Sequence, residues 1–190
     1  PNFVRVKLWV TVFLYSFAGL GIISLLSPLM QNILGAKDAS LSTVELAASG
    51  ATLIAAASIG NSVGRLFWAW LSDIIGRVTT FVVLLSSSAL IFLLLPYIAS
   101  PLLFGILISY TVASYGGGFG TVPSLISDLY GPKRMSAVHG LVLSGWAVSG
   151  LIAPFLFGYM YDVMPDKAAN YAYLICATVL FLGTILIATF

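Results

Sequence analysis

The stretch Ser58-Ile-Gly-Asn61-Ser-Val-Gly-Arg65 sets polar side chains inside an apolar run that extends from 46 to 70. Spacings of three and four place Ser58, Asn61 and Arg65 on one face of a helix. Their chemistry is that of an anion receptor. A guanidinium is permanently charged and offers a planar fork of donors to a carboxylate, and hydroxyl and amide groups add neutral hydrogen bonds. A second reading is that Arg65 snorkels from the apolar run toward the headgroups. Against it, an Arg inside a spanning helix costs about 2.5–3.5 kcal/mol on insertion scales and usually faces a bundle interior. The Ser58/Asn61 stripe also carries polarity deeper than snorkelling requires. The expectation is therefore that Arg65 faces a water-filled cavity. Ala56, Gly60 and Gly64, spaced by four, read as a small-residue seam on another face, against which a neighbouring helix packs closely.

Two further apolar runs carry polar groups. "YTVASYGGGFGTVPS", 110–124, has Tyr110 and Tyr115 beside Gly116, Gly117, Gly118, Gly120 and Pro123. Either the glycines weaken the helix and the tyrosines donate into a cavity, or the glycines permit close packing with the tyrosines as core residues. The run from 137 to 161 offers Ser144, Trp146 and Ser149, and Pro154 predicts a kink. Trp146 lies away from both ends of its run, so the interfacial aromatic belt does not explain it. His139, near one end, is a candidate titrating group, although a lone His is more often a satisfied interfacial residue than a proton relay.

These residues need elements to hold them. The 190 residues are 60% hydrophobic and 7% charged, with a mean hydropathy of +1.08, far from the composition of a water-soluble domain. Charge islands divide the chain into six runs long enough to cross a bilayer, at 9–30, 46–70, 79–98, 102–126, 137–161 and 171–190. Exposed backbone cannot survive in hydrocarbon, so each run predicts a helix, and the fold class is an all-α polytopic membrane protein. Ser42-Thr-Val-Glu45 is a capping box, and Ser100-Pro101 marks a tight link into the fourth span. Lys and Arg distribute as six (Arg5, Lys7, Arg65, Arg77, Lys133, Arg134) against two (Lys37, Lys167), which predicts a cytoplasmic amino-terminal end. The second span ends Ala69-x-x-x-Asp73 and the fifth Gly158-x-x-x-Asp162, a faint repeat three spans apart of the kind that inverted-repeat transporters show.

Several chemistries are not supported. A single His, a single cysteine (Cys176) and six carboxylates confined to the links offer no metal set, no catalytic dyad and no disulfide, and no Gly-rich loop precedes a Lys. The expectation is no enzyme, no cofactor and no metal. A net charge of +2 does not argue for nucleic acid.

"GRLFWAWLSDIIGR" resembles the loop signature of the major facilitator superfamily, with Ala69, Asp73, Gly76 and Arg77 at its positions and Ile74 where a basic residue is common. "GGGFGTVPSLISDLYGPKRMSAVHGLVLSGWAVSGLIAP" is similar to the oxalate/formate antiporter branch, which also resembles the monocarboxylate porters. The resemblance implies the carboxy-terminal six helices of a twelve-helix fold with 3+3 inverted repeats. It also implies alternating access against an absent amino-terminal half. The first, second, fourth and fifth spans would line or flank the cavity, and the third and sixth would face lipid. In oxalate-carrying members, an Arg on the helix matching the second span and a Lys on the helix matching the fifth receive the dianion. Arg65 matches the former, and Trp146 stands at the position of the Lys, which favours a monoanion on charge balance. Asp73, Gly76 and Arg77 would form part of a cytoplasmic gate.

The chain thus reads as half of a secondary transporter for a small organic anion, in a plasma or inner membrane. Arg65 pairs with the carboxylate, and Ser58, Asn61, Tyr110, Tyr115, Trp146 and Ser149 shape the cavity. A transporter-like sensor or scaffold, or a six-helix unit that dimerises into a channel, are the alternatives. Without an initiator Met and ending in an apolar run, the chain reads as a portion of a longer or processed protein.

Overall fold

The computed structural model describes residues 2–190. Its six long helices are α1 (Asn2–Lys37), α2 (Thr43–Ile75), α3 (Arg77–Leu94), α4 (Pro101–Tyr130), α5 (Pro132–Val163) and α6 (Pro165–Ala188), with one 3-10 turn at Leu95–Tyr97. All six are long and apolar enough to cross a membrane. They overrun the predicted spans at most ends. The 36 residues of α1 measure about 54 Å at 1.5 Å per residue, against a hydrocarbon core of about 30 Å. Hydropathy marks only the part in lipid, whereas the hydrogen-bonded ladder continues into the headgroup layer. For the same reason α6 starts at Pro165 and not near 171, with Pro at its first turn and Asp166 beside it.

Local signals set the helix starts. Ser42 caps α2, its hydroxyl accepting from the Glu45 amide (3.3 Å), while Glu45 Oε2 accepts from the Ser42 amide (2.9 Å). Replacing Ser42 with Ala is expected to lower the apparent Tm in a thermal-unfolding assay by roughly 2–4 °C, the usual worth of a cap in a chain of this size. The Ser100 hydroxyl caps α4 through the Leu103 amide, with Pro101 at the first helical position. Pro123 and Pro154 lie inside helices that continue through them.

α1 packs chiefly on α5, α2 on α4 and α3 on α6. Exchanging α1 with α4, α2 with α5 and α3 with α6 interchanges the α1–α5 and α2–α4 pairs and returns α3–α6 to itself, so the bundle is two sets of three helices with the same packing plan. The repeat hinted at by Asp73 and Asp162 extends to the whole arrangement. Lys7 Nζ donates to the Thr189 carbonyl (2.8 Å) and lies over the Phe190 ring, which brings the start of α1 and the end of α6 to one side, as six crossings require. α1 is the most enclosed helix. α2 and α5 leave most of their apolar residues exposed, including Ile59, Val63, Leu66 and Trp70 on α2 and Leu151, Phe155 and Tyr159 on α5.

The α2–α4 contact corrects the expected seam. Gly60 and Gly64 do approach α4, at Ser109 and Ala113, but Ala56 is exposed and Ala57 is fully buried in its place. A spacing of four drifts 40° around an α-helix at each step, whereas the seven residues from Ala57 to Gly64 drift only about 20°.

Candidate functional site

The glycine run of α4 is an unbroken helix, and each glycine gives its missing Cβ to a neighbour. Gly116 receives the backbone and side chain of Asn61, Gly117 the ring of Trp68, Gly118 the ring of Tyr15, and Gly120 the backbone of Arg65. Of the two readings of this segment, close packing is the one observed. It draws α1 and α2 onto α4 and sets the height at which Arg65, Tyr15 and Tyr115 meet.

Arg65 is exposed, and its guanidinium carbon stands 5.4 Å from the centre of the Phe119 ring, within cation–π reach. Phe119 meets Trp146 of α5 edge to face, with ring centres 5.9 Å apart. The Trp146 indole N–H donates to the Tyr115 hydroxyl at 2.8 Å. Tyr115 in turn lies against Tyr15 of α1, centre to centre 5.7 Å, and its ring fills the notch at Gly19. Arg65, Phe119, Trp146 and Tyr115 thus form one continuous wall contributed by α2, α4 and α5 and backed by α1. Among the described residues, no carboxylate lies within ion-pairing distance of Arg65.

The other predicted residues divide. Ser58 is exposed on the face of Arg65, with its hydroxyl returned to the Ile54 carbonyl (2.8 Å). Asn61 sits between the exposed stripe and the seam, pressed on Gly116, with Oδ1 buried and unpartnered. Tyr110 is not brought to Arg65. Its hydroxyl is shared with Ser87 of α3 (2.8 Å), and its ring meets Trp68. Ser149 is fully buried and bonds the Trp146 carbonyl (2.7 Å), so it supports the Trp146 turn from behind. Ser144 accepts from the Trp9 indole at 2.9 Å. His139 is part-buried, with Nδ1 unpartnered.

Two residues were not predicted, one in the wall and one behind it. Phe119 lies four residues after Tyr115 and therefore on its face, a spacing that was legible within the glycine run. Tyr15 has no signal of its own in an aromatic-rich first helix, since only the notch at Gly118 places it.

At one end of the bundle, Arg77 binds Asp73 (Nη1 to Oδ1, 2.5 Å), the Ser72 hydroxyl (2.6 Å) and Asp128 of α4 (Nε to Oδ2, 3.4 Å). Gly76 turns the chain with φ +89°, a conformation that other residues rarely adopt. Asp128 belongs to a second copy of the same turn: Ser127-Asp-Leu-Tyr-Gly131 matches Ser72-Asp-Ile-Ile-Gly76, and Gly131 has φ +76°. One arginine thereby ties the ends of α2, α3 and α4. The duplicated Ser-Asp-x-x-Gly was visible in the sequence; its joining through Arg77 was not.

Six helices long and apolar enough to cross a membrane, in two triplets of matching packing with one cation on an aromatic wall, define an integral membrane protein. The family model for the Major Facilitator Superfamily matches residues 8–190, and the chain belongs to that superfamily of transporters. It is 27% identical over 186 residues to the oxalate:formate antiporter of Oxalobacter formigenes, covering 96% of this chain and 41% of that protein. It is 26% identical over 162 residues to the cis,cis-muconate transport protein of Acinetobacter baylyi (83% and 37%). A match of 31% over 99 residues joins it to apicoplast pyruvate carrier 1 of Toxoplasma gondii (51% and 18%). The chain therefore spans less than half the length of these relatives.

Proposed function

We propose that the chain is the carboxy-terminal six-helix half of a secondary transporter that carries a small organic anion, a monocarboxylate or a related carboxylate, by alternating access. The observation that carries this reading is the exposed Arg65 guanidinium held over Phe119 beside Trp146 and Tyr115, with no carboxylate partner among the described residues. Stacking on Phe119 limits how the fork turns, and two parallel N–H donors match a carboxylate. The Trp146 and Phe119 rings give the remainder of the substrate an apolar surface. With one cation on the wall, a monoanion leaves the complex neutral, whereas a dianion leaves a charge uncompensated in a low-dielectric space. The names of the three relatives support the class, since oxalate, formate, muconate and pyruvate are all carboxylates.

The absent amino-terminal half supplies the opposite wall, and the exposed faces of α2 and α5 are the surfaces that meet it and the lipid. Arg77, Asp73 and Asp128 lie at the cytoplasmic end in this reading and form a gate that locks in one state and releases in the other. Among the described residues no carboxylate is buried, and anion exchange is the coupling mode this reading takes.

The test is uptake of a labelled carboxylate panel into liposomes holding the full-length protein. Saturable uptake, accelerated by unlabelled anion inside, is the expected result. Flux that rises without saturation would point to a channel, and no flux of any carboxylate would remove the anion reading. In the same assay, Trp146→Phe keeps a ring against Phe119 but loses the donor to Tyr115. It is expected to weaken apparent substrate affinity about fivefold, equivalent to roughly 1 kcal/mol for one neutral hydrogen bond.

A further inference from the structure

Tyr115 also borders a second space inside the bundle, enclosed by α1, α3, α4 and α6. It is a cavity of about 20 Å³ lined by Tyr15, Ser88, Thr111, Ser114 and Tyr115 together with apolar side chains. Three of its lining residues are almost completely enclosed: Tyr15 is 2% exposed, Ser88 4% and Ser114 1%. The hydroxyls of Ser88 and Ser114 are buried and have no hydrogen-bond partner among the described residues, and the buried Tyr15 hydroxyl lies beside that of Ser16 on its own helix. The Thr111 hydroxyl, by contrast, donates to the Ile108 carbonyl at 2.7 Å.

Among the described residues a buried unpartnered hydroxyl is found outside this cavity only at Ser16, Tyr130 and Tyr161, and most helical hydroxyls are satisfied locally. Ser58, Ser62, Thr80, Ser86, Thr121, Ser144 and Ser149 all return their protons to a carbonyl of their own helix. That cheap solution is open to any helical serine. Ser88 and Ser114 forgo it, on facing helices, at the border of one cavity. Buried polar groups are almost always satisfied by protein or by ordered water. The lining is mostly apolar, and it is the unpartnered hydroxyls at its border that call for water; a site of roughly 10–15 Å³ already admits one water molecule, which makes about three hydrogen bonds.

We propose that this cavity is a binding site for one water molecule, held between the hydroxyls of Ser88 and Ser114 with Tyr15 as the third hydroxyl of the lining. The water joins α3 to α4 and both to α1, across the boundary between the two helix triplets. It lies beside the residue that carries the Trp146 hydrogen bond, and it is independent of what the transporter carries. A cation is disfavoured because no carboxylate borders the space.

The experiment uses the full-length protein in lipid nanodiscs. Ser88→Ala and Ser114→Ala are each compared with Ser86→Ala, which removes a serine that bonds its own helix. If a water bridges the first two hydroxyls, each cavity variant strands it and lowers the apparent Tm of the full-length protein by about 1–3 °C relative to the control. Melting unchanged or raised in both would overturn the proposal, because deleting an unsatisfied hydroxyl from a dry cavity is neutral or stabilising. An experimental density map of the unaltered protein, in which other ordered waters are resolved, is the second readout. A peak between Ser88 Oγ and Ser114 Oγ is expected, and its absence overturns the assignment. Melting that rises with sodium against choline at equal ionic strength, and does so no longer in Ser114→Ala, reassigns the cavity to a cation and overturns the water.

Discussion

Arg65→Gln in the full-length protein is expected to reduce carboxylate uptake at sub-saturating substrate by about 30- to 1,000-fold. Glutamine retains a planar donor at similar reach but no charge, and removing one partner of a desolvated charge pair costs about 2–4 kcal/mol, each 1.4 being tenfold. The loss should fall largely on apparent affinity, because the guanidinium meets the substrate before the halves move. Arg65→Lys separates charge from geometry. It keeps the positive charge and gives up the fork and the stacking on Phe119, so an intermediate loss of about tenfold is expected. Lys133→Gln, in the exposed first turn of α5, serves as the charge-matched control and should transport normally. If Arg65→Gln transports like the unaltered protein, the residue is an interfacial anchor and the anion site must be sought elsewhere.

Gly64→Ala is expected to have the largest effect on stability. A Cβ at this position would land on the carbonyl oxygen, carbonyl carbon and Cα of Ala113, closer than atoms can approach. The obstacle is backbone, so no side chain can swing aside, and α2 and α4 must move apart along the most extensive helix pairing in the bundle. Overpacking of this kind costs about 1–3 kcal/mol, or a Tm lower by about 2–12 °C for a chain of this size. Gly64→Val should prevent assembly of the bundle. The counter-example is Gly158 on α5, where a Cβ meets nothing within 4 Å. There Ala removes the entropic cost of a helical glycine, and a gain of about 0.5–1 kcal/mol is expected. Equal melting of Gly64→Ala and the unaltered protein would mean that α2 and α4 are not in contact at this height. It would also undo the placement of Arg65 beside Phe119, since the same seam holds both.

The structure gathers the residues that chemistry singled out unequally. Arg65 and Trp146 were legible because each breaks a local rule: a charge inside an apolar run, and a large aromatic away from the interface. The loop motif was legible because its turn needs a glycine at positive φ and its charges sit at short spacing, and Arg77 does reach Asp73 one turn away. Tyr110 was grouped with Tyr115 on the strength of their closeness in sequence. The five intervening steps rotate it through about 140° net, onto α3 and the Ser87 hydroxyl. The glycine run carried two readings because a lack of side chains is equally compatible with a weak helix and with a tight one. Only the neighbours in space, Asn61, Trp68, Tyr15 and the backbone of Arg65, decide between them.

What the sequence by itself determined about this protein is whatever hydration and local hydrogen bonding dictate. Runs of apolar residues must close their own backbone hydrogen bonds in lipid, so six helices follow from hydropathy alone. Caps and turns follow from side chains three or four residues from the amides they serve. Tertiary structure decided which faces meet. The rotation of each helix about its axis depends on where small residues let two backbones approach, and the Tyr115–Trp146 bond spans 31 residues that carry no local record of it. The wall on which Arg65 lies, and the cavity near it, exist because all six helices are packed at those rotations, and no periodicity within a single helix specifies them.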